Sequence, residues 1–236
     1  DHPRIARVAY YYQPNAGKAA ARNTGAARTL GDFLLFIDDD DLLTQDALSY
    51  LVEKAKEHNA DVLGGLCLPF GDTRKKRIIE DPGSSQLLDA ESFFWGCQFR
   101  TPGQVLVRRG TFLKSGGFDP SLKHAEDLDL YLRLCDLGSV RQHQKVVLKY
   151  RIHSSNETKN VTNIANATHR VLMRNMVHTN GAQRKRLCRI GNYAYRRYLS
   201  RRYILQGLKA IRSLDLMSAI RITRELLYFR KSWFLT

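Results

Sequence analysis

The chain has 236 residues, 43% of them hydrophobic, and a formal net charge of +15, so it can bury the core of one large domain or two small ones. No run of about 18 uninterrupted apolar residues occurs, which argues against a membrane-spanning helix, and "DHPRIARVAYYY" lacks the apolar centre and cleavage site of a signal peptide. Four widely spaced cysteines (Cys67, Cys97, Cys135, Cys188) with no CxxC pair read as reduced thiols in a cytoplasmic protein.

In chain order, "RVAYYYQ" (Arg7–Gln13) is β-branched and aromatic and predicts a strand, followed by turn chemistry in "PNAG". Alanine-rich "KAAARNTGAARTL" predicts a helix over Lys18–Leu30, ending at Gly31. "DFLLFI" is apolar throughout, as in a strand buried on both faces of a parallel sheet. Thr44 caps a helix to about His58 whose apolar face is Ala47, Leu48, Leu51, Val52 and Ala55. "DVLGGLCLPF" reads as a strand, "GDTRKKRIIEDPGSS" as a polar hairpin or loop, and "LLDAESFFWG" as a short helix. "GQVLVRRGTFLKSGGFD" reads as strand, short helix and glycine turn; "AEDLDLYLRLCDLG" is a helix ending at Gly138, and "KVVLKYRIH" a strand. This alternation predicts an α/β domain over residues 1–159 with a mostly parallel sheet flanked by helices.

Beyond residue 160 the texture changes to basic, amphipathic helix. Residues 160–236 hold 16 Lys and Arg against two acids, Asp215 and Glu225, whereas residues 1–159 hold 22 against 21. A nearly neutral body thus carries a strongly basic C-terminal helical extension, which suits a phosphate-rich partner: a membrane surface, a nucleic acid or a phosphorylated substrate.

Three polar clusters carry the chemistry. Asp38–Asp41 follow directly on the "FLLFI" strand, and ligands of open α/β sheets bind beyond the carboxyl ends of strands. If the chain stays extended, Asp38 and Asp40 share a face and form a hard-oxygen site for Mn²⁺ or Mg²⁺ that leaves room for a substrate diphosphate. The competing reading is a solvated acidic turn. The second cluster, Glu126, Asp127 and Asp129, follows the glycine turn "SGGFDP" and opens a helix. Acids there suit the helix dipole, and one of them could serve as a general base. In the third, "KYRIHSS", His153 could complete a metal site and Arg151 could grip phosphate.

In this order, "QPNAGKAAARNTGAARTLGDFLLFIDDDD", "GQVLVRRGTFLKSGGFDPSLKHAEDLDLYLRLCDLG" and "YRIHSS" resemble the family 2 glycosyltransferases of the GT-A fold, over roughly residues 8–155. The resemblance implies a nucleotide-sugar site with Arg22, Lys18, Asp38, Asp40 and Arg151, a divalent metal on Asp40 and His153, and Asp127 as catalytic base beside Glu126. It implies inverting transfer of a sugar from a nucleoside-diphosphate sugar to a glycan or lipid-linked acceptor. It further implies that the family's opening strand, "PTYN"-like turn and second strand, which hold much of the base and ribose pocket, do not precede "VAYYYQPNAG" here.

Two other readings compete. A catalytically incomplete remnant would keep the body without turnover. A nucleic-acid binder would use Tyr193, Tyr195, Tyr198 and Tyr203 among arginines as stacking platforms; the acidic crevice and the absence of a recognised nucleic-acid motif argue against that partner. The tail, with Tyr228, Phe229, Trp233 and Phe234, suits either the anionic inner face of the plasma membrane or packing of these aromatics as core against the body with the arginines solvated.

Overall fold

The computed structural model describes residues 7–72, 78–153, 161–176, 180–212, 215–218, 220 and 222–224. Tyr228, Phe229, Trp233 and Phe234, and part of the polar excursion after Gly71, lie outside the described residues. Helices α1 (Gly17–Ala27), α2 (Ala47–Glu57), α3 (Ala90–Trp95), α4 (Arg109–Lys114), α5 (Glu126–Cys135), α6 (Val161–Asn175) and α7 (Gly181–Arg212) surround one sheet. Its strands are β1 (Phe33–Leu35), β2 (Leu42–Leu43), β3 (Val62–Gly71), β4 (Asp81–Leu88), β5 (Val105–Arg108) and β6 (Val140–Ile152).

The strand order is β1-β5-β3-β6-β2, with β4 also pairing β6. The sheet is mixed rather than mostly parallel. Among the described residues only β3 and β6 run parallel, while β1–β5, β3–β5, β2–β6 and β4–β6 are antiparallel. An apolar run specifies a buried strand but not its direction. Here β5 inserts between β1 and β3 and runs against both.

Side chains alternate across this sheet as pleating requires. Val105 and Val107 of β5 and Val62 of β3 enter one core with Phe93, Phe99, Tyr131 and Leu134. Leu106 and Leu63 enter a second core with Ala47, Leu51 and Ala55 of α2. Gly64 and Gly65 let neighbours approach β3: a Cβ on Gly64 would stand 2.1 Å from the Phe99 ring.

Several sequence expectations fail for identifiable reasons. Arg7–Gln13 forms no strand; Val8, Tyr10 and Tyr12 are exposed, and no described strand offers this segment a ladder. β-propensity expresses packing on a half-buried pleat, and none is available here. "DFLLFI" supplies only three strand residues. Leu34 alone is buried, because β1 ends the strand order. Asp46, not Thr44, precedes α2; Thr44 instead bonds back to β6, its N–H donating to the Val147 carbonyl and its hydroxyl to the Val146 carbonyl. The excursion expected as a loop or hairpin includes strand β4.

The basic extension packs on the body. Val171, Leu172 and Met176 of α6, and Leu187 and Ile190 of α7, share the larger core. Asp129, fully buried on α5, accepts from Arg133, Arg174 and Asn175. It therefore fastens α6 to α5 and is not a free acid for chemistry. No described helix is long and apolar enough to cross a membrane.

Candidate active site

Beyond β1 the chain turns at once. The Asp41 N–H donates to the Asp38 carbonyl at 3.2 Å, so the four aspartates form a turn, not an extended run. Strict alternation therefore does not govern them, and each has its own environment. Asp38 Oδ1 pairs with Arg22 Nη2 at 2.7 Å. Asp40 Oδ2 lies 2.8 Å from His153 Nε2. Asp39 is exposed. Asp41 is buried; its Oδ1 accepts the Arg151 N–H at 3.0 Å, and its Oδ2 has no partner among the described residues. Burial pushes the Asp41 carboxyl up to about 6, against the Arg151 hydrogen bond and with help from the charges of Asp40 and Asp38.

Arg151 is engaged in holding this turn. Its Nε donates to the Asp40 carbonyl at 2.9 Å, and its guanidinium lies 4.6 Å from the Phe70 ring centroid. Its place on β6, paired with Phe70 of β3, fixes the aspartate turn to the centre of the sheet.

Arg22 joins the two acidic clusters. Its Nη2 meets Asp38, and its Nη1 donates to Glu126 Oε1 at 3.0 Å. Lys18, one turn earlier on α1, reaches the same Glu126 oxygen at 3.1 Å. Burial opposes the charge on Arg22, but the two carboxylates outweigh it and raise its basicity. Residues 104 positions apart in sequence thus meet in one charge chain, Asp38–Arg22–Glu126–Lys18.

A backbone device places α1 for this contact. Asn23, next to Arg22, donates through Nδ2 to the Phe118 carbonyl at 2.8 Å and accepts the Phe118 N–H at 2.9 Å. Gly117 makes the close approach possible. It has φ +72°, and a Cβ there would stand 2.7 Å from Asn23 Oδ1. Ala125, just before α5, also adopts a left-handed conformation with φ 60°. A non-glycine residue in that region stores strain of the kind found beside functional groups.

Asp127 is half-buried in the first turn of α5, and its Oδ1 accepts the Leu128 N–H at 2.8 Å. Desolvation, then the neighbouring Glu126 carboxylate, push it up to about 6, while Lys18 and Arg22 pull the other way. One helical turn later, Tyr131 is buried with a hydroxyl that has no partner among the described residues, and burial and the charge of Asp127 raise its ionisation well above the usual value. The structure therefore brings Lys18, Arg22, Asp38, Glu126 and Asp127 together, with Asp40, Arg151 and His153 joined around the adjoining turn. Sequence reasoning missed Asn23, Asp41 and Tyr131. Asn23 left only its adjacency to Arg22 as a signal, and the burial of Asp41 depends on a turn that the acidic run does not announce.

The fold, a mixed sheet flanked by helices, is similar to that of the GT-A transferase TarS. Residues 1–349 of S. aureus TarS, crystallised in complex with UDP-GlcNAc, superpose with a TM-score of 0.62 at 14% identity, over 82% of this chain and 56% of that one. A family model described as Glycosyl transferase family 2 matches residues 3–115. An uncharacterized glycosyltransferase of Rickettsia typhi is 25% identical over 168 residues, 66% of this chain and 51% of its own length. The glycosyltransferase GlyA of Streptococcus pneumoniae is 39% identical over 91 residues, 37% of this chain and 13% of its own. Over residues 3–115, just under half of its length, the chain is thus similar to the family 2 glycosyltransferases. It spans about half the length of the Rickettsia relative.

Proposed function

We propose that this glycosyltransferase moves a sugar from a nucleoside-diphosphate sugar to a hydroxyl of a glycan or lipid-linked acceptor, with inversion. The observation that carries the reading is the convergence of Asp38, Arg22, Glu126 and Asp127 from three separate segments. Asp38 faces the donor sugar, and Arg22 and Lys18 lie toward the nucleotide. Asp127 removes the acceptor proton, and the acceptor oxygen attacks the anomeric carbon from the face opposite the leaving group. The bond from that carbon to the diphosphate oxygen breaks, and the nucleoside diphosphate departs with the electron pair. The UDP-GlcNAc bound in the TarS complex supports this donor class.

Asp40 and His153 are the residues that would hold Mn²⁺ or Mg²⁺. A carboxylate and an imidazole 2.8 Å apart fit two ligand positions of such an ion. No group of three or more metal-ligating side chains occurs among the described residues, so further ligands would come from water and the substrate diphosphate. When bound, the ion supplies positive charge against the charge developing on the leaving diphosphate.

Calorimetric titration of nucleoside diphosphates with and without Mn²⁺ tests the assignment. Binding that requires Mn²⁺, is lost in Asp40→Asn and persists in Asp39→Asn supports it. No binding to the unsubstituted chain, or equal loss in both variants, refutes it.

A further inference from the structure

The buried residues of α7 whose exposure is described all lie in its first third: Leu187, Ile190 and Gly191. There the helix leans on the body, Gly191 against Phe94 and Arg186 against Glu91. Beyond Gly191, no residue of α7 whose exposure is described is buried. That outer portion nevertheless carries aliphatic side chains in water: Ile204 is 53% exposed, Leu208 48% and Ile211 59%.

Helical spacing puts these three on one stripe with Tyr193 and Arg197, because the intervals of four, seven, four and three residues return to the same face. The stripe runs about 27 Å at 1.5 Å per residue. At its inner end, exposed Tyr193 meets exposed Trp95 of α3 edge-on, with ring centroids 6.2 Å apart. The next helical stretch continues the pattern, with Leu216, Met217 and Ile220 all exposed.

The charge of this region selects the occupant. The C-terminal 77 residues hold 16 cations and two acids, and Arg184, Lys185, Arg189 and Arg197 stand exposed on α7 itself. A second copy would bring like charge against like. An aliphatic row with aromatic side chains at one end, set in a cationic field, is the chemistry of a helix lying in a membrane interface. Basic residues near the bilayer add attraction to anionic headgroups.

We infer that the Tyr193–Ile211 face of α7, with Trp95, docks the protein on an anionic lipid bilayer. The docking is independent of the transfer reaction and of the identity of the donor.

Flotation of the 236-residue chain with vesicles tests it. One set is phosphatidylcholine alone, and the other is phosphatidylcholine mixed with phosphatidylglycerol. The protein floats with the anionic vesicles and not with the zwitterionic ones, and raising salt to about 0.5 M weakens binding. The triple variant Ile204→Ser, Leu208→Ser, Ile211→Ser reduces the vesicle-bound fraction at least about tenfold. Circular dichroism and thermal melting confirm that it folds, as substitutions on an exposed stripe should allow. Arg197→Glu, which leaves the aliphatic row intact, weakens binding to anionic vesicles alone. Absence of flotation, equal flotation with both lipids, or undiminished binding by the triple variant overturns the inference. So does a dimer in sedimentation, or salt-sensitive capture of RNA or DNA, that the same triple substitution abolishes.

Discussion

Replacing Asp129 by Asn should destabilise the protein by about 3 kcal/mol. The carboxylate is fully buried and accepts from Arg133 Nε at 3.0 Å, Arg133 Nη2 at 2.8 Å, Asn175 Nδ2 at 3.1 Å and Arg174 Nη2. An amide of the same shape keeps one acceptor and turns an N–H₂ toward cationic donors. Breaking a buried ion pair costs about 3–5 kcal/mol, and the lower end applies because both arginines are partly exposed and can rehydrate. For a chain of this size that loss lowers Tm by about 6–12 °C. Differential scanning calorimetry at neutral pH measures it. Limited trypsin digestion adds a local readout, since α6 and the arginine-rich α7 should be cut sooner once their tie to α5 is gone. A Tm within about 2 °C of the parent would show that Asp129 does not fasten the helical extension.

Three further outcomes follow from the site and the core. With Asp127 as the base and its carboxyl raised to about 6, transfer measured as nucleoside-diphosphate release should rise with pH through 6. It should fall about tenfold for each unit below that value, as the ionised fraction does. Glu126→Gln removes the carboxylate that raises Asp127 and should move the acid limb to lower pH; an unmoved limb would exclude this coupling. Separately, Gly64→Ala drives a Cβ to 2.1 Å from the buried Phe99 ring and should cost at least about 1–3 kcal/mol by overpacking, with partial recovery in Gly64→Ala/Phe99→Leu. Chemical denaturation reads both, and strict additivity of the two substitutions would contradict the contact.

Helix α5 was legible because its acids, apolar stripe and terminal glycine all fall within one local pattern, and "LLDAESFFWG" yielded α3 with a capping box between Asp89 and Ser92. A resemblance, not a local pattern, singled out Arg22, Lys18, Glu126 and Asp127, which lie within bonding reach or charge influence of one another. Strand direction was not legible, because pairing is set by partners distant in sequence. The aspartate run illustrates the same limit. Alternation holds for extended chain, whereas a single bond from Asp41 to Asp38 folds the run into a turn in which Asp41 is buried. The aromatic "VAYYYQ" shows the converse, in which a strong local preference yields no strand where no described neighbour supplies a ladder.

The central position of β6 also sets the order in which the protein can be made. β6 pairs with β2, β3 and β4, so three earlier strands take their partner from residues 140–152. Ribosomal synthesis at about 5–20 residues per second separates the end of β3 from the end of β6 by about 4–16 s. During that interval β3 gains only β5, once residues 105–108 are made, and its other edge stands open. The nascent chain therefore carries a long apolar edge, "VLGGLCLPF", that a chaperone or its own folding intermediate must shield. Closure of the sheet, and with it assembly of the aspartate turn against Arg151, is a late event that waits for the last strand.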